Sequence, residues 1–121
     1  MTNEVNKAIV GAINSIVTAY DNEAPTEAIY PYAVVSTKRL NADDSISKWI
    51  VEINVWDKNK YYSRSESLMD EIDKELDFKN MKLSSCFLCL FKAQRDNIPD
   101  SDKTIKRVQT QFDMTIYESE M

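Results

Sequence analysis

Any chemistry in this chain would have to start from very few residues. Cys86 and Cys89 form a C-x-x-C pair, the spacing of a redox-active dithiol or of half a zinc site. Asp96, Asn97, Asp100 and Asp102 gather oxygen donors of the kind that hold calcium. Neither pattern is completed. The chain has no histidine and only these two cysteines, so tetrahedral zinc lacks ligands, and cysteines three apart on a strand face opposite sides. The acidic run lacks the central glycine and distal glutamate of a calcium-binding loop and reads as a solvated turn. The missing histidine also removes the Ser-His and Cys-His nucleophile pairs. The single glycine, Gly11, cannot build a loop whose backbone amides cradle phosphate. No spacing places two carboxylates in one cleft as acid and base. The reading is of no enzyme, no catalytic residue, no metal and no cofactor, with Cys86 and Cys89 as buried structural thiols.

Contact chemistry remains. Tyr30, Tyr32, Trp49, Trp56, Tyr61, Tyr62 and Tyr117 exceed what a small core requires, and Trp and Tyr are favoured anchors at interfaces. Trp49 reads as core, whereas Tyr61 and Tyr62 lie together in a polar loop. The 121 residues carry 15 Lys and Arg against 20 Asp and Glu, a formal charge of −5, which does not predict a broad cationic surface for phosphate backbones. Met1 to Tyr20 holds Glu4 and Lys7 inside its apolar pattern, unlike a signal peptide or a membrane span. The expectation is a soluble intracellular protein with one domain over residues 1–121.

The elements that must position these residues follow from periodicity. Val5, Ala8, Ile9, Ala12, Ile13, Ile16 and Val17 repeat at three and four, predicting a helix from Glu4 to Ala19 that Asp21, Asn22 and Pro25 end. Tyr32 to Lys38 is β-rich and follows Pro31, predicting a strand. Arg39 to Ser47 is polar and reads as a long loop. Trp49, Val51, Ile53 and Val55 then alternate with Ile50, Glu52, Asn54 and Trp56 in a second strand, Lys48 to Trp56. Ser63 and Glu66 match a capping box for a helix running to about Leu76, with Leu68, Met69, Ile72 and Leu76 as its stripe and Asp70–Lys74 as a four-apart ion pair. Ser85 to Ala93 is apolar on both alternating faces and reads as a central strand. A turn with Asn97, Pro99, Asp100 and Ser101 leads to a half-buried strand, Thr104 to Tyr117. The fold class predicted is α+β, an antiparallel four-stranded sheet with two helices packed on one face.

Ile29 to Val35, with its Pro31-Tyr32 step, the strand from Trp49 to Trp56 with Asp57, and the helix from Ser63 to Leu76 together resemble the tail terminator, or tail completion, proteins of long-tailed bacteriophages. The resemblance covers nearly the whole chain and rests on hydrophobic patterns rather than catalytic signatures. It implies a structural virion protein of the tail and neck, assembled in the host cytoplasm. Such a protein closes into a ring, a hexamer in the family, on the last ring of the tail tube, ends tube growth and offers a surface to the head connector. The partners implied are other copies of the chain, the tube protein and a connector or stopper protein, with DNA only as cargo passing through the lumen and no membrane. The neighbouring connector or stopper role, and a cytosolic interaction module unrelated to phage, stand as alternatives. The loop from Arg39 to Ser47 and the turn from Asp57 to Tyr62 are the predicted contacts, through Arg39, Leu40, Asp43, Asp44, Asp57, Tyr61 and Tyr62. Six copies at −5 each would carry −30, a field that repels phosphates; Lys103, Lys106 and Arg107 read as a solvated edge that discourages strand aggregation.

Overall fold

The structure is a computed structural model that describes residues 2–43 and 45–118. Helix α1 spans Thr2–Asn14, and β1 (Ala19–Asp21), β2 (Tyr32–Asp43) and β3 (Ile46–Lys58) follow. Helix α2 spans Ser63–Leu76, before β4 (Asn80–Lys82), β5 (Cys86–Ile98) and β6 (Ile105–Glu118). The six strands form one mixed sheet in the order β1-β2-β3-β6-β5-β4, with β1 parallel to β2 and every other pair antiparallel.

Both helices cover the same face. Val5, Ile9 and Ile13 of α1 and Met69, Ile72 and Leu76 of α2 are buried against Ala33 and Val35 of β2, the predicted Trp49 to Val55 face of β3, and Val108, Phe112, Met114 and Ile116 of β6. The β-branched residues concentrate in the strands and the straight-chain ones in α2, as local preference favours.

The predicted four-stranded antiparallel sheet is corrected to a six-stranded mixed one, and the reasons are local. Asn14 ends the first helix rather than Ala19: its Oδ1 accepts the amide of Ala19 at 3.1 Å, and Ala33 donates to the carbonyl of Thr18 at 2.8 Å. The chain after the helix is thereby drawn alongside β2 as β1. Val17 is still buried, so the apolar pattern was satisfied without a helix. The stretch Arg39 to Ser47 is not a long loop. Strands β2 and β3 continue through it, pairing Asp43 with Ile46, and only a register shift between Arg39 and Asn41 interrupts the ladder. At that shift Leu40 is the extra residue of a bulge.

Helix α2 keeps its predicted span but not its predicted cap. Tyr62 holds the cap position with no side-chain cap bond, the Ser65 hydroxyl donates to the Tyr62 carbonyl at 3.0 Å, and Glu66 accepts from Asn97 at 3.1 Å. Asp70 pairs with Arg95 across the sheet at 2.6 Å rather than with Lys74. Strand β5, predicted as central, is next to the edge of the sheet, with only the three-residue β4 outside it; β3 and β6 are the central pair. Cys86, Leu88 and Leu90 are buried on the helix-covered face, but Phe87 and Phe91 on the other face are exposed.

Candidate protein interface

Two contact-prone regions emerge, one at each end of the sheet. At the end where β3 leads into α2, Asp57 is fully buried. Its carboxylate accepts from Arg64 Nε at 2.9 Å and Nη2 at 2.5 Å, and from the Lys58 amide at 2.9 Å. Burial pushes its pKa up, but the Arg64 guanidinium and these hydrogen bonds outweigh it, and the net shift is downward. Asp57, predicted as a contact residue, is thus a bracket that fixes the β3–α2 turn. The turn presents what it holds: Tyr61 stands exposed with Lys60 Nζ 5.5 Å from its ring centroid, and Tyr62 is half-buried beneath Lys106 Nζ at 5.6 Å.

At the opposite end, the face that no helix covers carries an apolar rim. Ile46, Tyr117 and Phe87 stand in register across β3, β6 and β5, and the Phe87 and Tyr117 rings lie 6.3 Å apart. Phe91 follows four residues further along the same side of β5 and meets Phe78 edge-on at 5.6 Å. Phe78 is 73% exposed and has φ of 59°, a left-handed conformation that is strained for a bulky residue. A hollow of about 450 Å³ joins Phe91 to Leu40 through Lys48, Asp113 and Thr115.

Of the other predicted residues, Arg39 lies in β2 with its guanidinium 5.9 Å from the Trp49 ring centroid, Leu40 is exposed at the bulge, and Asp43 ends β2. Asp44 lies outside the described residues. The structure brings Arg39, Leu40 and Asp43 together at the hairpin end and places Asp57, Tyr61 and Tyr62 at the other. Sequence reasoning missed Ile29, Phe78, Phe87 and Phe91 as exposed apolar residues. The usable signal was Phe87, Cys89 and Phe91 alternating against Cys86, Leu88 and Leu90: with both helices on one face, the second apolar face of that strand has nothing to cover it.

The middle of the uncovered face is polar and internally paired. Asn54 accepts from Arg107 Nε at 2.8 Å and from Gln109 at 3.1 Å, and Glu52 accepts from Gln109 at 3.1 Å. Arg107 lies 4.8 Å from the Trp56 ring centroid, so it belongs to this face and not with Lys103 and Lys106. Cys86 and Cys89 lie on opposite sides of β5, as their spacing predicts, but only Cys86 is buried; Cys89 is half-buried, which corrects the expectation that both are buried thiols. Burial, then the nearby Glu4 charge, raises the Cys86 thiol pKa. Among the described residues no group of three or more His, Cys, Asp or Glu is arranged to hold a metal ion. The Asp100 and Asp102 carboxylates accept backbone amides of their own turn.

Neither a family model nor a curated protein matches the chain. Among solved structures, the fold is shared with a chain from the virion of a native gene transfer agent particle. The superposition has a TM-score of 0.80, covers 98% of this chain and 97% of that one, and pairs residues that are 14% identical.

Proposed function

We infer that this chain is a structural virion protein of phage type that caps the tail tube as a ring, ends tube polymerisation and provides the surface for head joining. The observation that carries the reading is the whole-length likeness in fold to a chain of a gene transfer agent virion. The uncovered apolar rim supports it, because Ile46, Phe78, Phe87, Phe91 and Tyr117 are large apolar side chains left exposed, the kind of surface that association covers. The short edge strands agree with ring closure. β1 and β4 have three residues each, so much of the outer edges of β2 and β5 lacks a neighbouring strand. One edge of a copy meeting the other edge of the next is the heterologous contact that closes a ring. On this reading the chain is not an enzyme and DNA passes through the ring as cargo.

Negative-stain imaging of purified protein mixed with tail tubes tests the proposal. Tubes of arrested length bearing a single terminal ring are the expected result. Free tubes that continue to elongate, or binding to head connectors alone, would replace it with the connector role.

A further inference from the structure

In a chain of net charge −5, four lysines converge without a salt bridge among the described residues. Lys58 and Lys60, at the end of β3, and Lys103 and Lys106, before and in β6, line one recess of about 630 Å³. Of the acids nearest in sequence, Asp57 holds Arg64 and Asp100 and Asp102 hold their own turn, while Asp102 also feels the charges of Lys58 and Lys106. One such carboxylate leaves most of the lysine charge uncompensated, and the surplus like charges repel one another unless an external anion joins them. Lysine stems also cover apolar ground beside their charges, and Tyr61 stands exposed next to them.

The complementary surface is on the same chain. At the end of β1 and in the segment that leads to β2, Asp21, Glu23 and Glu27 are exposed and also without a salt bridge among the described residues. The Asp21 and Glu27 carboxylates accept only from the Asn6 amide and the Thr26 hydroxyl. Ile29, in the same loop, is 83% exposed, beyond any other large apolar residue described. The segment starts partway along the sheet, where Asp21 pairs with Val35 and Val35 with Ile53, and only its approach to Tyr32, which pairs with Trp56, reaches the end where β3 runs to Lys58. It emerges on the β1 side, whereas a second hollow, lined by Pro99, Asp100, Lys103 and Lys106, carries the basic surface towards β5. Copies placed side by side in the same direction bring the β1 side of one to the β5 side of the next.

We propose that the lysine recess receives the 21–29 loop of a neighbouring copy, its carboxylates pairing with Lys58, Lys60, Lys103 and Lys106 while Ile29 packs on lysine stems and Tyr61. This contact rests on the ring reading and specifies how adjacent subunits recognise each other. A duplex is a poorer occupant, because four lysines flanked by acids in a negative assembly offer few of the phosphate contacts that sustain binding.

Charge exchange tests it. The double variants Lys58→Glu with Lys103→Glu and Glu23→Lys with Glu27→Lys alter exposed groups, and unchanged melting curves check that both fold. Sedimentation velocity should show each double variant associating about tenfold or more weakly than wild type, with much of the loss recovered when all four changes are combined in one chain. Failure of the combined variant to recover, or normal association of the acidic-loop variant, overturns the proposal. So does wild-type protein that is monomeric both at about 1 mM and on tail tubes, or salt-sensitive duplex binding that the lysine variant alone abolishes. Tube capping scored on the same samples separates the two readings: association with charge-swap recovery but no capping supports this contact and removes the terminator role.

Discussion

On the helix-covered side of β5 and β6, Leu88, Leu90, Phe112 and Ile116 are fully buried. One residue along the same strands, Phe87, Phe91 and Tyr117 are 40%, 45% and 42% exposed. Similar side chains on the same strands thus have opposite fates, set only by whether α1 and α2 lie above them. The lesson is that alternation assigns a residue to a face, while the layer above that face decides whether it stabilises the fold or is left for association. Beyond Phe91 the helix-covered side itself turns polar. Arg95 bonds Asp70 and Asp73 at 2.6 and 3.1 Å, and Asn97 bonds Glu66 at 3.1 Å, so α2 is docked by aliphatic packing along its inner stripe and by ion pairs beside it.

The sharpest way to break the comparison is to truncate one residue on each side. Ile72→Ala, under the sheet, should lower unfolding free energy by about 2–5 kcal/mol, because it opens a cavity in a fully buried site. Phe87→Ala should change it by about 0.5 kcal/mol or less, as surface substitutions do, while reducing subunit association measured by sedimentation. Equal losses of stability from both would mean the open face is covered within the monomer.

Arg64→Ala strips the guanidinium from buried Asp57. A loss smaller than that of Ile72→Ala is expected in denaturant titrations, modest because half of the Arg64 side chain is exposed and screened. Asp57 has a lowered pKa in the fold, so the pair's contribution is present above the ordinary aspartate range and fades as pH falls through the folded value. The variant should therefore lose less stability on acidification than wild type does.

A smaller effect on folding is expected at Phe78. Phe78→Gly relieves the left-handed strain but frees the unfolded chain, opposing terms of about 1 kcal/mol each, so stability by thermal melting should stay within about 1 kcal/mol of wild type. Association should fall if the exposed ring is a contact, and association equal to wild type would remove Phe78 from the rim.

The smallest effect concerns Glu4, which fastens α1 to the β4–β5 turn. Its carboxylate accepts from both hydroxyls and both amides of Ser84 and Ser85, and those bonds, led by the Ser85 and Ser84 hydroxyls, hold its pKa down to about 2 from 4.5. A depressed carboxylate stabilises above its unfolded value, so this contribution is complete above about pH 4.5 and is lost as pH falls towards 2. Glu4→Gln should flatten that part of the melting temperature–pH curve and leave the neutral value only slightly lower. An unchanged acid limb would show that the Ser84–Ser85 bonds do not form in solution.

Long periodic segments were legible before any coordinates. The α2 stripe of Met69, Ile72 and Leu76, the inward residues of β3 and those of β6 all follow from spacing, because each buries one face against one layer. Short elements were not. β1 and β4 have three residues each, too few for periodicity, and each is defined by its pairing to a neighbouring strand, β2 and β5 respectively, rather than by its own pattern. Polar residues from Arg39 to Asp43 resemble a loop in composition but are held in β2 by β3. Within the interface, Tyr61 and Leu40 were readable from their polar surroundings. Phe87 and Phe91 were not readable by type, because an apolar residue bound for an uncovered face looks the same as one bound for a core; only their alternation, set against helices on a single face, marks them.

The strand order has a consequence for how the chain reaches this state. β6 follows all the other strands in chain order, yet it lies between β3 and β5, and its pairing of Ile46 with Tyr117 joins residues far apart in sequence. Until β6 docks, the inner margins of β3 and β5 are bare, and the core lacks Val108, Phe112, Met114 and Ile116. Closure of the sheet therefore depends on contacts between residues distant in the chain, which slows it relative to domains built mainly of local contacts. The interval before it is when the chain is most exposed to mispairing with its own nascent copies.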